Sequence, residues 1–304
     1  MRSLIIFTLV GVGAQLVDGA LGMAFGVTAS TLLVLSGVAS AQASAAVHLA
    51  EVGTTFASGL SHWKFKNIDW GLVLRLGVPG AIGAFLGATL LSSLSTEDAA
   101  PVMAAILLAI GVYVLLRFSL KTPPSIEVGT TKHGAKFLVP LGLFGGFIDA
   151  SGGGGWGPVT TSTLLSRGKT APRTVIGSVS ASEFLVAVSA SLGFLVGLRA
   201  EFFDNLPIVL GLAAGGVIAA PFAAWLVSRV SPAMLGAAVG GVIVLTNAQK
   251  LVTYFKIESP WGTLIFAAIV VAWAAFGYLA WKLSKAPTFV PDEVPDPQPV
   301  TDAR

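Results

Sequence analysis

The chain has 304 residues, of which 54% are hydrophobic and only 11% charged, and its mean hydropathy is +0.84. A charged share about half that of soluble domains excludes a water-soluble globular core. The net charge of +3 is small and its basic residues fall in short loops, which argues against nucleic-acid binding, while the absence of cysteine excludes disulfides, thiolate metal sites and cysteine nucleophiles.

In chain order, the first segment covers 4–37 and is broken near its middle at DGALGMAFG (18–26). Apolar spans are expected at about 39–61, 70–94 and 98–118, followed by a cytoplasmic linker over 121–136. The segment 137–168 is broken in the same manner at DASGGGGWG (149–157), and spans follow at about 173–198, 205–228 and 231–256. One more span covers 260–284. The last stretch, APTFVPDEVPDPQPVTDAR, is proline-rich and acidic with no apolar period, and reads as a disordered cytoplasmic tail over 286–304. A half-segment of about 14 residues reaches about 21 Å as a helix, short of a hydrocarbon core about 30 Å thick. Both broken segments therefore read as re-entrant hairpins.

The two breaks also align with each other. Asp18 pairs with Asp149, Gly22 with Gly153, Gly26 with Gly157, Thr31 with Ser162 and Leu33 with Leu164 at one constant separation, and Glu51 pairs with Glu183 one residue further apart. GAIGAFLGATLLSSLS (80–95) then answers GVIAAPFAAWLVSRVS (216–231), as expected of an internal duplication. A hairpin plus three spans is an odd number of crossings, so the copies have opposite orientation. Lys64 and Lys66, then Arg117, Lys121, Lys132 and Lys136, then Arg167, Lys169 and Arg173, then Arg229, then Lys282 and Lys285 all fall on one side by that count. Basic loops mark the cytoplasmic side, which puts the N-terminus outside and the C-terminus inside. A cleaved signal peptide over Met1–Val17 is the rival reading, but it would remove the partner of the second hairpin. The expected fold class is an all-α polytopic membrane protein with inverted-topology repeats, 1–120 and 137–256. Each repeat is a glycine-broken re-entrant helical hairpin plus three transmembrane helices, and one extra C-terminal transmembrane helix follows in the inner membrane.

Inverted repeats with interrupted helices belong to secondary transporters, in which irregular backbone at membrane depth lines a cavity or is buried in protein. Half-helices starting after each break aim positive dipole ends inward, which favours an anion. Candidate solute contacts are Gly19, Gly22 and Met23 in the first break, Gly152, Gly153, Gly154 and Gly155 in the second, and His48 and Ser180 on the spans that follow them. Trp156 reads as hairpin packing with an indole N–H that could also donate to a solute. Ser44, His48, Glu51, Thr55, Ser58 and His62 recur at helical spacing and share one face, which lines an aqueous path or bonds a neighbouring helix. Ser180 and Glu183 lie on the corresponding face of the second copy. Glu51 and Glu183 are either carriers of a coupling proton or cation, or anchors between helices. Asp18 and Asp149 read chiefly as side chains that accept from backbone N–H groups of the turns. Arg75 is the one basic residue placed to steer an anion.

The stretches GAQLVDGALGMAFG and GGFIDASGGGGWGP, followed by spans opening SAAVHLAEVGT and IGSVSASEFL, resemble the TauE/SafE family of sulfite and organosulfonate transporters over about residues 4–256. The resemblance implies passage of small sulfur-containing or carboxylate anions, with export of sulfite the activity most often attached; import of such an anion and a channel on the same scaffold are the alternatives. No HExxH or GxSxG motif is present and there are only three histidines, so no enzyme, cofactor or metal site is expected. The expected partners are a small anion, the bilayer and a coupling ion, with a homo-oligomer left open.

Overall fold

The computed structural model describes residues 2–21, 23–120, 133–167, 170, 172–227 and 231–285. Among them the chain is helical throughout, with no strand. Helix α1 (Arg2–Leu21) is followed across the first break by α2 (Phe25–Leu35), then α3 (Ser40–Lys64), α4 (Trp70–Ser93) and α5 (Thr96–Leu120). Helix α6 (Ala135–Gly152) leads through the second break into a π-helical turn (Gly157–Thr161) and the short α7 (Ser162–Ser166). Helix α8 (Pro172–Leu198) passes through a 3-10 turn (Arg199–Asn205) to α9 (Leu206–Val227), and α10 (Pro232–Tyr254) and α11 (Trp261–Lys285) complete the bundle.

Local chemistry sets several of these boundaries. Asp69 precedes α4 and its Oδ1 accepts from the N–H of Gly71 at 2.8 Å and of Leu72 at 3.2 Å, while its own N–H donates to Ser178 Oγ on α8. Ser231 accepts from the N–H of Met234 at 3.2 Å, with Pro232 at the first helical position, where a missing N–H costs nothing.

Five helical stretches among the described residues are long and apolar enough to cross a membrane: Trp70–Ser93, Thr96–Leu120, Arg173–Ala219, Pro232–Tyr254 and Trp261–Lys285. The third holds α8 and the start of α9 on either side of the 3-10 turn. Helix α3, expected as a span, is not among them, because the polar side chains of its one face lower its hydropathy. The surface confirms the medium: Leu210, Val217, Phe222, Val271 and Trp261 are each more than 60% exposed, as lipid-facing residues are. This is a multi-pass membrane protein.

Packing pairs the helices closely. Helix α1 lies along α9, α6 along α4, α3 along α8 and α5 along α10. Gly142 and Gly146 of α6 sit against the backbone of α4 at Leu76 and Gly80, and Gly211 and Gly215 of α9 sit against α1 at Phe7 and Thr8. Small residues four apart let helices approach without a hydrophobic driving force between them. One apolar cluster joins α1, α2, α5, α9 and α10 around Leu33, Leu107 and Leu212; a second joins α4, α6, α7 and α8 around Leu76, Trp156 and Phe194. Helix α3 contributes to both, and the two breaks meet beside it.

Candidate functional site

Each break is held by the aspartate just before it. Helix α2 starts after Ala24, whose methyl group cannot cap it. Asp18 does so from the end of α1: its Oδ1 accepts from the N–H of Ala24 at 2.8 Å and of Phe25 at 3.1 Å. At the second break, Asp149 Oδ1 accepts from the N–H of Trp156 at 2.8 Å and the Asp149 carbonyl accepts from the N–H of Gly154 at 2.8 Å. A carboxylate there satisfies orphan donors and meets the positive end of the following helix.

The second aspartate has a further partner. Its Oδ2 lies 3.0 Å from Nε2 of the fully buried His48. His48 Nδ1 stands 2.8 Å from the carbonyl oxygen of Ser44, which can only accept, so Nδ1 carries a hydrogen. One proton therefore lies between Nε2 and Oδ2 whichever group holds it, and the pair as a whole is neutral. Ser44 Oγ donates to the carbonyl of Ala150 at 2.7 Å, which pins α3 to the end of α6.

The glycines bring the two breaks into backbone contact. A Cβ on Gly26 would stand 2.8 Å from Gly154 Cα and 2.9 Å from Glu51 Oε1. Gly154, at φ +147, has the backbone of Gly26 and Val27 where its own Cβ would go. Ser30 Oγ donates to the Gly153 carbonyl and closes the crossing.

Beside this crossing lies a cavity of about 360 Å³. Four carboxyl groups face it: Asp18, Glu51, Asp149 and Glu183. Thr54, Thr55, Ser58, Thr161 and Ser180 supply hydroxyls, Gln15 an amide and His62 an imidazole. Among the described residues no lysine or arginine lines it. Ser58 and Ser180 share a hydrogen bond of 2.8 Å, which joins α3 to α8 across one wall.

The candidate residues named from sequence thus divide. Met23, Gly155 and Ser180, with the four carboxylates, line the cavity. His48 stands behind Asp149, and Gly152, Gly153 and Gly154 are packed against Ile106, Ser30 and α2 respectively. Gly19 is in the last turn of α1, and Gly22 lies outside the described residues. Trp156 is fully buried, with its ring against Gly80 and its indole N–H donating to the Val179 carbonyl at 3.3 Å. Trp156→Phe is accordingly expected to cost about 1–2 kcal/mol of stability and to leave transport in place. A thermal melt and a flux assay on the same preparation check this; loss of flux at unchanged stability would instead make the indole a solute contact.

Arg75 lines a separate small cavity with Asp69 and His133, away from the breaks. Sequence reasoning passed over Gln15, Thr54 and Thr161. Gln15 could have been found from its position three residues before Asp18 on the same helical face, but Thr161 is set by the π-helical turn, which has no sequence period.

Apolar helices enclosing two interrupted helices and a polar cavity make the architecture of a membrane transporter. A model of the family described as "Sulfite exporter TauE/SafE" matches residues 7–249, and the chain belongs to that family. It is 50% identical over 273 residues to the probable membrane transporter protein YtnM of Bacillus subtilis (strain 168), an alignment that covers 90% of this chain and 91% of that protein. It is also 23% identical over 170 residues to the probable membrane transporter protein YdhB of the same organism, covering 56% of this chain and 69% of that one. No solved structure matches it.

Proposed function

We propose that this protein is a secondary transporter that moves small sulfur-containing anions, sulfite or organosulfonates, by alternating access, with export as the direction its family's description carries. The observation that carries the reading is the cavity of about 360 Å³ set where two broken helices cross. Its hydroxyls and the Gln15 amide are uncharged donors suited to a small oxyanion that must bind and leave.

The helix pairing supports an inverted duplication with repeats over 1–120 and 137–256, followed by an extra helix over 260–284; of the expected linker over 121–136 only 133–136 are described, and the expected tail over 286–304 lies outside the described residues. Corresponding helices pack on one another, α3 on α8 and α5 on α10, while α1 of the first half lies along α9 of the second and α6 of the second along α4 of the first. Such an exchange is what a pseudo-two-fold axis through the bundle generates. The broken segments are then hairpins entering from opposite sides, with the N-terminus outside and the C-terminus in the cytoplasm.

Two experiments test this. The absence of native cysteine allows single-site labelling with an impermeant maleimide. Ser95→Cys, at an exposed position before α5, is expected to react from outside, and Ser125→Cys, outside the described residues, only after permeabilisation. Reaction of both from one side contradicts the inverted count. In proteoliposomes, a panel of sulfite, thiosulfate, sulfoacetate, sulfolactate and simple carboxylates is expected to show saturable exchange for a sulfur anion. Saturable flux of carboxylates alone would move the substrate class, and flux that does not saturate would make the protein a channel.

A further inference from the structure

Four carboxyl groups around one cavity oppose an anion unless their charge is cancelled. Two are compensated locally. Asp149 and His48 form a neutral pair, and Asp18 accepts two backbone N–H groups at the start of α2. Glu51 and Glu183 are different. Glu51 is 5% exposed and its Oε2, buried at the cavity wall, has no hydrogen-bond partner. Glu183 faces the same cavity from α8, the helix packed on α3.

Among the described residues no lysine or arginine on the lining supplies the missing positive charge. His62 is the remaining titratable group on the lining, besides the aspartates. Helices α2 and α9, both packed on α3, carry no titratable side chain. Arg75 of α4 belongs to the separate cavity beside Asp69, and Lys250 of α10 donates to the Val34 carbonyl. No group of three or more histidines, aspartates or glutamates among the described residues is arranged to hold a metal ion.

An unpaired buried carboxylate costs several kcal/mol, whereas a neutral carboxyl is both donor and acceptor and can hydrogen-bond an oxyanion through its O–H. Resting on the anion reading proposed above, we infer that Glu51 and Glu183 form a proton site that loads together with the anion, which makes the protein an anion–proton symporter. The reaction is binding alone: each proton enters a glutamate from the side from which the anion enters and is released with it on the other. The linkage is reciprocal, so the anion binds more tightly as pH falls and protons bind more tightly when the anion is present. The outward gradient of an anion made in the cell then carries protons out with it, and an inward proton gradient opposes that export.

The test has a spectroscopic arm and a flux arm. Infrared spectra of the reconstituted protein at neutral pH are expected to contain a protonated-carboxyl C=O band that strengthens when isethionate is added and weakens in Glu51→Gln and in Glu183→Gln. Absence of that band, or its persistence in the double variant, overturns the proton site whatever the protein transports. For flux, vesicles loaded with isethionate and a pH-sensitive dye are clamped at zero potential with valinomycin and potassium. Isethionate, a sulfonate that does not titrate near neutral pH, is expected to leave with alkalinisation of the lumen; any exchange that Glu51→Gln/Glu183→Gln retains is expected to be independent of pH. Isethionate or labelled sulfite efflux with no lumenal pH change, with acidification, or dependent on sodium overturns the symport. A carboxyl band assigned to the pair with no flux of either probe overturns the anion-transport reading and the symport with it, and leaves the protonated pair standing as structure.

Discussion

Asp149→Ala is expected to abolish transport and to lower stability by about 3–5 kcal/mol, the usual cost of removing one partner of a buried charge-bearing pair. The substitution leaves Nε2 of the fully buried His48 without its acceptor at 3.0 Å and takes from the Trp156 N–H the oxygen that starts the second half-helix. Both losses fall at one point, so the second break loses its anchor to α3 and its turn together. Asp149→Asn is the informative companion. Its Oδ1 still accepts from Trp156 N–H, and its amide can donate to His48 Nε2 because Nδ1 already holds the ring hydrogen toward Ser44. Most of the stability should therefore return. A double-mutant cycle of Asp149→Ala with His48→Ala, read by thermal unfolding in detergent, is expected to be strongly less than additive. Additive losses would mean that the pair is not a unit.

Gly154→Leu is expected to remove folded, monodisperse protein from the membrane altogether. The residue sits at φ +147, where side chains are strained, and the place of its Cβ is filled by the backbone of Gly26 and Val27, which cannot rotate aside. Gly153→Leu is strained at φ +72 and meets side chains in place of backbone, the Ser30 hydroxymethyl group of α2 and the Met103 Cε. Failure of either variant reports the crossing of the two breaks and not a solute held by their N–H groups. Gly53→Ala on α3 is the control, because nothing lies within 4 Å of its Cβ position; it is expected to leave expression and flux unchanged. Normal yield of Gly154→Leu would show that the breaks do not touch.

Much of this arrangement was legible in the sequence because its signals are chemical and local. An apolar chain interrupted twice at DGALGMAFG and DASGGGGWG is expected to break its helices there, and an aspartate at each break has backbone donors within reach; in the fold the helices break at both stretches and Asp18 and Asp149 accept from those donors. The face bearing Glu51, Thr55, Ser58 and His62 follows from helical spacing alone, and these four line the cavity. What could not be read was the work of each glycine. Four in a row say that the turn is tight, yet only tertiary contact decides that Gly155 faces the cavity while Gly152, Gly153 and Gly154 face Ile106, Ser30 and α2. The partnership of His48 with Asp149 was equally hidden, since the two lie on different helices.

On the proposed function a small anion passes through the cavity beside the crossing of the two breaks. The most direct test of that passage is exchange of labelled sulfite in proteoliposomes by the native protein and by Ser180→Trp, which fills the cavity from the wall formed by α3 and α8. Saturable exchange is expected from the native protein and none from the folded, monodisperse variant. Undiminished exchange by Ser180→Trp would contradict the proposal.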